Sequence, residues 1–444
     1  MRGHRGTLAG TMRYHRMPDL SRLAGELELF ARLKSEYGAR GVVPILEKAE
    51  KALRAAIAQA RGLPADPRQS AEEPNDLPGI RAKRPAGPRR LWKSFDARRY
   101  ADKVHGALLG RMAGNILGAP VELWPVERMA ALARENGEAF PPTDYWSFVP
   151  DPSELRYGIS RRDAYTRGGM NGVPVDDDIG YTLLGLLILE EHGPSFTVGD
   201  VGKAWLKYLP LAFTAEEVAL RNLKAGVPAA KAAEKDNPYC EWIGADIRAD
   251  PWGYAAPGWP ERAAELAWRD ATISHRRQGI YGEMLFAAAI SAAFAVDDPV
   301  EAIQAGLTEI PRSCALSRAV RWALQAAPSI HNWRDARAAV DARFPGMNPV
   351  HTVNNACLTV FGITIGGADL GEVIGQTVAM GLDNDCTAAT AGSITGAVLG
   401  RRGIPVKWHR HFNDTVHSYL IGKKRFTISG LVRRFAVQAA RVHA

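Results

Sequence analysis

Three aspartates stand side by side at Asp176, Asp177 and Asp178, just before an apolar run from Tyr181 to Leu189. Aspartate caps helices well and suits the positive end of the helix dipole, which accounts for one or two of them. It does not account for three, because like charges packed against a core helix repel and lose hydration unless a cation sits among them. A second acidic pair, Asp383 and Asp385, lies in Gly381-Leu382-Asp383-Asn384-Asp385-Cys386-Thr387, again ahead of a helix of small residues. Residues two apart can be aimed by one turn at a common centre, although ordinary cap or turn aspartates would have the same spacing. Taken together, the two clusters point to a metal site, and hard oxygen ligands favour magnesium, calcium or manganese over zinc.

Glu122 is a third acidic candidate, directly after Gly118-Ala119-Pro120-Val121. The turn Gln278-Gly279-Ile280-Tyr281-Gly282-Glu283 lacks the spacing of a phosphate loop. It reads either as a plain helix start or as a backbone-lined ligand loop, with Gly279, Ile280, Tyr281 and Gly282 facing substrate. His351, with Asn354 and Asn355, opens another helical stretch, where capping is the expected role.

The elements that must position these residues are helical. Gly106, Gly110, Gly114 and Gly118 recur every four residues, as do Gly392, Gly396 and Gly400. That spacing puts each set on one helix face, where a missing side chain lets another helix approach closely. Each glycine costs about 1 kcal/mol of helix propensity, so close packing near a site is the expected compensation. No stretch alternates apolar and polar residues for long, so an all-α chain is expected. Leu20, Leu23, Leu27, Phe30 and Leu33, then Leu46, Leu53 and Ile57, follow helical spacing on either side of Gly38 and Gly41, which predicts a helical hairpin within residues 1–60. Residues 61–91 carry six prolines and few large apolar residues and read as a linker. Residues 92–444 are left as the catalytic domain.

Composition narrows the function classes. Residues 1–91 hold 18 lysines and arginines against 10 acidic residues, whereas 92–444 hold 38 against 38. The net charge of +8 thus belongs to the N-terminal region, which reads as a solvated appendage or a surface for an acidic partner. Four scattered cysteines without Cys-x-x-Cys spacing argue against a zinc ribbon or a disulfide scaffold and suit a cytoplasmic protein. The N-terminus lacks the apolar core of a signal peptide, and no apolar run approaches the ~18 residues of a membrane helix.

Taken in order, these segments resemble the ADP-ribosylglycohydrolase family over about residues 95–420. The landmarks are Gly106-Ala107-Leu108-Leu109-Gly110 with Gly118-Ala119-Pro120-Val121-Glu122, the Asp176–Asp178 run, Gly279-Ile280-Tyr281-Gly282, and Asp383 with Asp385. The resemblance implies one all-α domain and a pair of Mg²⁺ ions, with Mn²⁺ as an alternative, held by Asp176, Asp177, Asp178, Asp383 and Asp385. It implies hydrolysis of the bond between ADP-ribose and a protein side chain, a nucleobase or a small molecule. Glu122 would guide or deprotonate the attacking water, and Asp177 would share in catalysis. The chain departs from the family at Asp176, where a threonine is usual, at Asn115, often an aspartate, and at Cys386, commonly a threonine. Two other readings follow from the same residues: a module that binds ADP-ribose without cleaving it, and a helical magnesium enzyme acting on prenyl diphosphates. The second usually wants Asp-Asp-x-x-Asp, which this chain lacks.

Overall fold

The computed structural model describes residues 17–444, so residues 1–16 of the expected hairpin region lie outside it. The chain divides into two units, Met1–Ala71 and Glu72–Ala444. The described part of the first holds two helices, α1 (Leu20–Glu36) and α2 (Val42–Arg61), joined through Gly38 and Gly41, both at positive φ. Asp19 starts α1 by accepting a hydrogen bond from the Arg22 backbone N–H. Leu20, Leu23, Phe30, Leu53 and Ile57 stay exposed.

The second unit is helical, with only two-residue strands among the described residues: β1 (Leu155–Arg156) with β2 (Ser160–Arg161), and β3 (Val416–His417) with β4 (Arg425–Phe426), both antiparallel. No described helix is long and apolar enough to cross a membrane. At its centre α3 (Ala97–Gly118) lies against α4 (Asn384–Leu399). The two glycine faces meet. A Cβ at Gly110 would run into the carbonyl of Gly392, and one at Gly392 into the carbonyl of Gly110. At the far end a Cβ on Gly118 would stand 2.5 Å from the Cα of Asp385. The contact explains the glycine spacing: only without side chains can the backbones approach this closely. It also sets the N-terminus of α4, with its aspartates, beside the C-terminus of α3 and the Glu122 that follows.

Two more helices frame this pair. One, Asp177–His192, begins at the Asp176 N-cap and carries the apolar run seen in the sequence. The other, Gln278–Ala293, is buried along its whole length.

Residues 72–91 correct the expected linker. Ile80 is fully buried, Trp268 donates its indole N–H to the Asn75 carbonyl at 2.8 Å, and Leu91 donates its backbone N–H to Gly258 at 2.7 Å. Arg84 pairs with Glu261 and Glu309 at 2.5 Å each, and Arg89 with Glu309 at 2.7 Å. The segment has too little apolar surface to order itself. It is ordered by carboxylates and backbone groups supplied from other parts of the unit, and much of its positive charge is met there.

Substituting Gly110 by Ala should force α3 and α4 apart. Overpacking of this kind costs about 1–3 kcal/mol. The urea midpoint of the variant should fall accordingly, and a midpoint equal to that of the parent protein would mean the helices do not bear on each other at Gly110.

Candidate metal centre

Six carboxylates from three stretches of chain cluster beside a cavity of about 630 Å³, a volume typical of small-molecule sites, and Glu122, Asp177, Asp383 and Asp385 line it. Glu122, Asp383 and Asp385 offer oxygens within 4.8 Å of one another, as do Asp176, Asp177 and Asp178; Asp178, Asp385 and Cys386 form a third such group. The structure therefore brings Glu122 and all five expected metal-site aspartates together, although more than 200 residues separate Asp178 from Asp385 in the sequence.

The aspartates differ in how they are used. Asp176 is a true helix cap. Its Oδ1 accepts from the Asp178 backbone N–H at 3.1 Å and from the Asn115 side-chain amide at 2.9 Å. Asn115 can donate there, whereas a second carboxylate at that position would face Asp176 with like charge. Asp177 accepts from the Tyr157 hydroxyl at 2.6 Å. Asp178 is fully buried, with one oxygen 3.3 Å from the Cys386 thiol and the other without a donor. Asp383 occupies the N-cap position of α4, yet its side chain caps nothing. Its backbone N–H is held by the Asn355 side chain at 3.3 Å, and its Oδ1 has no donor. Asp385 likewise keeps Oδ1 unpartnered at 2% exposure.

Such orphaned oxygens cost several kcal/mol each if charged and left alone in a dry interior, so the donor set suits a hard divalent cation. Without one, burial favours the protonated form at Glu122, Asp177, Asp178, Asp383 and Asp385. Burial, then the Asp383 carboxylate, push Glu122 up to about 7. Burial is also the first cause of the rise at Asp177, Asp178, Asp383 and Asp385, with neighbouring carboxylates adding to it. The Cys386 thiol rises for the same reasons and stays neutral.

The sequence reading missed several walls of the cavity. Arg156 and Tyr157, on the β1–β2 hairpin, enter it beside the acids, and no motif around them marks this role. Tyr157 stacks on Tyr419 at 5.6 Å with an interplanar angle of 8° and meets Phe213 edge-on. The 3₁₀ turn Ile243–Arg248 forms another wall. Its mixture of Asp246 and Arg248 with small and apolar residues was the available signal. Arg248 locks the turn from behind through Glu216 at 2.7 Å, Asp270 at 2.6 Å and Glu283 at 3.3 Å.

Gly279, Ile280, Tyr281 and Gly282 do not reach the cavity, so the ligand-loop expectation is corrected. They are the buried first turn of the Gln278–Ala293 helix. The Tyr281 hydroxyl donates to the Pro74 carbonyl at 2.6 Å, and a Cβ at Gly279 would stand 2.6 Å from the Cys240 carbonyl. These glycines serve packing. His351 does cap its helix, accepting from the Val353 backbone N–H at 3.1 Å.

The raised Glu122 pKa has a sign for stability. The folded state binds the proton more tightly than the unfolded chain does. This group's contribution is therefore complete below the ordinary glutamate range and is lost as pH rises through about 7. In chelator, the melting temperature should fall from about pH 5 to about pH 8. Excess magnesium should restore more of it at the alkaline end. A flat or rising curve in chelator would contradict the electrostatics described here.

A family model for ADP-ribosylglycohydrolase matches residues 96–440. No curated protein sequence matches the chain. A solved structure described as "ADP-ribosylglycohydrolase-related protein complex" is similar in fold, with a TM-score of 0.52 at 19% identity, covering 78% of this chain and 100% of that one. With a family model spanning most of its length, the chain belongs to the ADP-ribosylglycohydrolase family, a hydrolase family.

Proposed function

We propose that this protein is a magnesium- or manganese-dependent glycosidase that releases ADP-ribose from a modified side chain, nucleobase or small molecule. One observation carries the reading: donor-free oxygens of the buried Asp383 and Asp385 line the acidic end of a cavity large enough for a nucleotide, with the donor-free oxygen of Asp178 in the cluster behind them. Asp178, Asp383 and Asp385 would hold the metal, with Asp177 and Glu122 at the cavity side. When bound, a divalent ion supplies charge stabilisation and lowers the pKa of water.

The chain's own residues do the rest. Tyr157, Phe213 and Trp242 offer apolar ring faces along the cavity, suited to a base, while the acidic end suits a ribose diol. Tyr157 fixes the Asp177 carboxylate through its hydroxyl. Glu122 lines the cavity beside these acids, within reach of a water held there, and acts as the base. Four free cysteines fit a reducing cytoplasm. The basic N-terminal region is assigned to contact with an acidic partner.

A panel of ADP-ribosylated arginine, serine and guanosine, assayed with and without magnesium, tests this. Glu122→Gln should lower kcat by about 10²–10⁴-fold. Asp383→Asn and chelator should each abolish release. Undiminished turnover in excess chelator would remove the metal from the mechanism. Tight ADP-ribose binding by calorimetry without turnover on any substrate would instead identify a binding module.

A further inference from the structure

The acidic centre already contains a cation. One terminal nitrogen of the Arg156 guanidinium, Nη2, lies 3.1 Å from Asp176 Oδ2, 3.2 Å from Glu122 Oε2 and 3.9 Å from Asp385 Oδ2. The other, Nη1, donates to the Ala119 carbonyl at 2.7 Å, which pins the fork to the end of the first glycine helix. Its position is set from behind as well. Arg156 pairs with Ser160 across the β1–β2 hairpin and lies 5.5 Å from the Tyr165 ring.

Of the three ligand groups, two are engaged by this guanidinium. The Glu122–Asp383–Asp385 group loses Glu122 to it, and the Asp176–Asp177–Asp178 group loses Asp176. The third group, Asp178–Asp385–Cys386, receives no hydrogen bond from it, and Oδ1 of both aspartates there has no donor. Arg111 approaches that corner only to 3.7 Å and is committed to Asp250 at 2.5 Å. A guanidinium keeps its charge at every working pH, and close to an ion it repels a second divalent cation.

We propose that Arg156 stands in for one of two cations, so that the centre holds a single divalent ion against the donor-free oxygens of Asp178, Asp383 and Asp385. This rests on the divalent-metal reading above and replaces the pair of ions that the family resemblance implies by one ion and one side chain. Arg156 is then a positioning residue. It neutralises Asp176 and orients Glu122, and it leaves one site to be filled from solution.

Counting Mn²⁺ on the full-length protein tests this, by calorimetric titration and by low-temperature electron paramagnetic resonance. The parent protein should bind one ion and show an uncoupled spectrum. Arg156→Met should bind two and show an exchange-coupled pair. Arg156→Lys keeps the charge and should bind one. Two ions in the parent protein or in Arg156→Lys, or one in Arg156→Met, would overturn the inference. If Arg156→Met fails to fold, the other two counts still decide it. Two ions in a parent protein that still releases ADP-ribose would refute the stand-in alone. No ion in any of the three proteins would refute the metal reading beneath it.

Discussion

The backbone contact between the two glycine-faced helices is the constraint on which the site depends. Each helix gives up propensity at every glycine, and the loss is offset only because the paired faces let two backbones touch. The contact runs from Gly106 against Gly396 to Gly118 against the first turn of the partner helix. It brings Asp383 and Asp385 to the edge of the segment that presents Glu122. A side chain anywhere along this seam would shift the second acidic cluster relative to the first, and ligand oxygens tolerate only tenths of an ångström.

The same closeness makes the centre electrostatically unfavourable until it is filled. Six carboxylates share a small volume, four of them buried, with Arg156 placed among them and Arg111 at 3.7 Å from Asp178. Burial and mutual repulsion raise Asp178 and Asp385 together, which favours protons where a cation is wanted. A buried charge without a partner is among the costliest features a protein can carry. The surrounding scaffold is correspondingly rigid. Arg111 ties the trio's helix to Asp250 and to the Ile247 carbonyl, and Arg248 ties the neighbouring wall to three carboxylates. Both arginines are essentially unexposed, so neither network can relax toward solvent.

The departures from the family pattern make sense in this setting. Asn115 donates to Asp176, so the amide relieves repulsion that an aspartate would add. Cys386 donates weakly to Asp178 and leaves the second oxygen of that carboxylate without a hydrogen-bond donor. The first change removes a competing charge, the second exchanges one neutral group for another, and the charge that Asp176 adds where a threonine is usual is met by Arg156 at 3.1 Å.

The sequence by itself determined the helical class, the two glycine faces and the identity of the acidic residues, because these depend on local periodicity and on residue types whose chemistry is unambiguous. It also determined that Asp176, Asp177 and Asp178 exceed what capping requires, and of these only Asp176 does cap. Tertiary structure alone decided the rest. Arg156 acquires its role from a hairpin that folds back onto acids 20 residues away, and Gly279–Gly282 lose theirs because the turn is buried against Cys240, His275 and Pro74. Residues 72–91 become part of the second unit because their arginines find buried carboxylates far along the chain. Local spacing records which side chains are present and which way an element faces. It does not record the partner on the other side, and burial, charge pairing and a cavity wall are all properties of that partner.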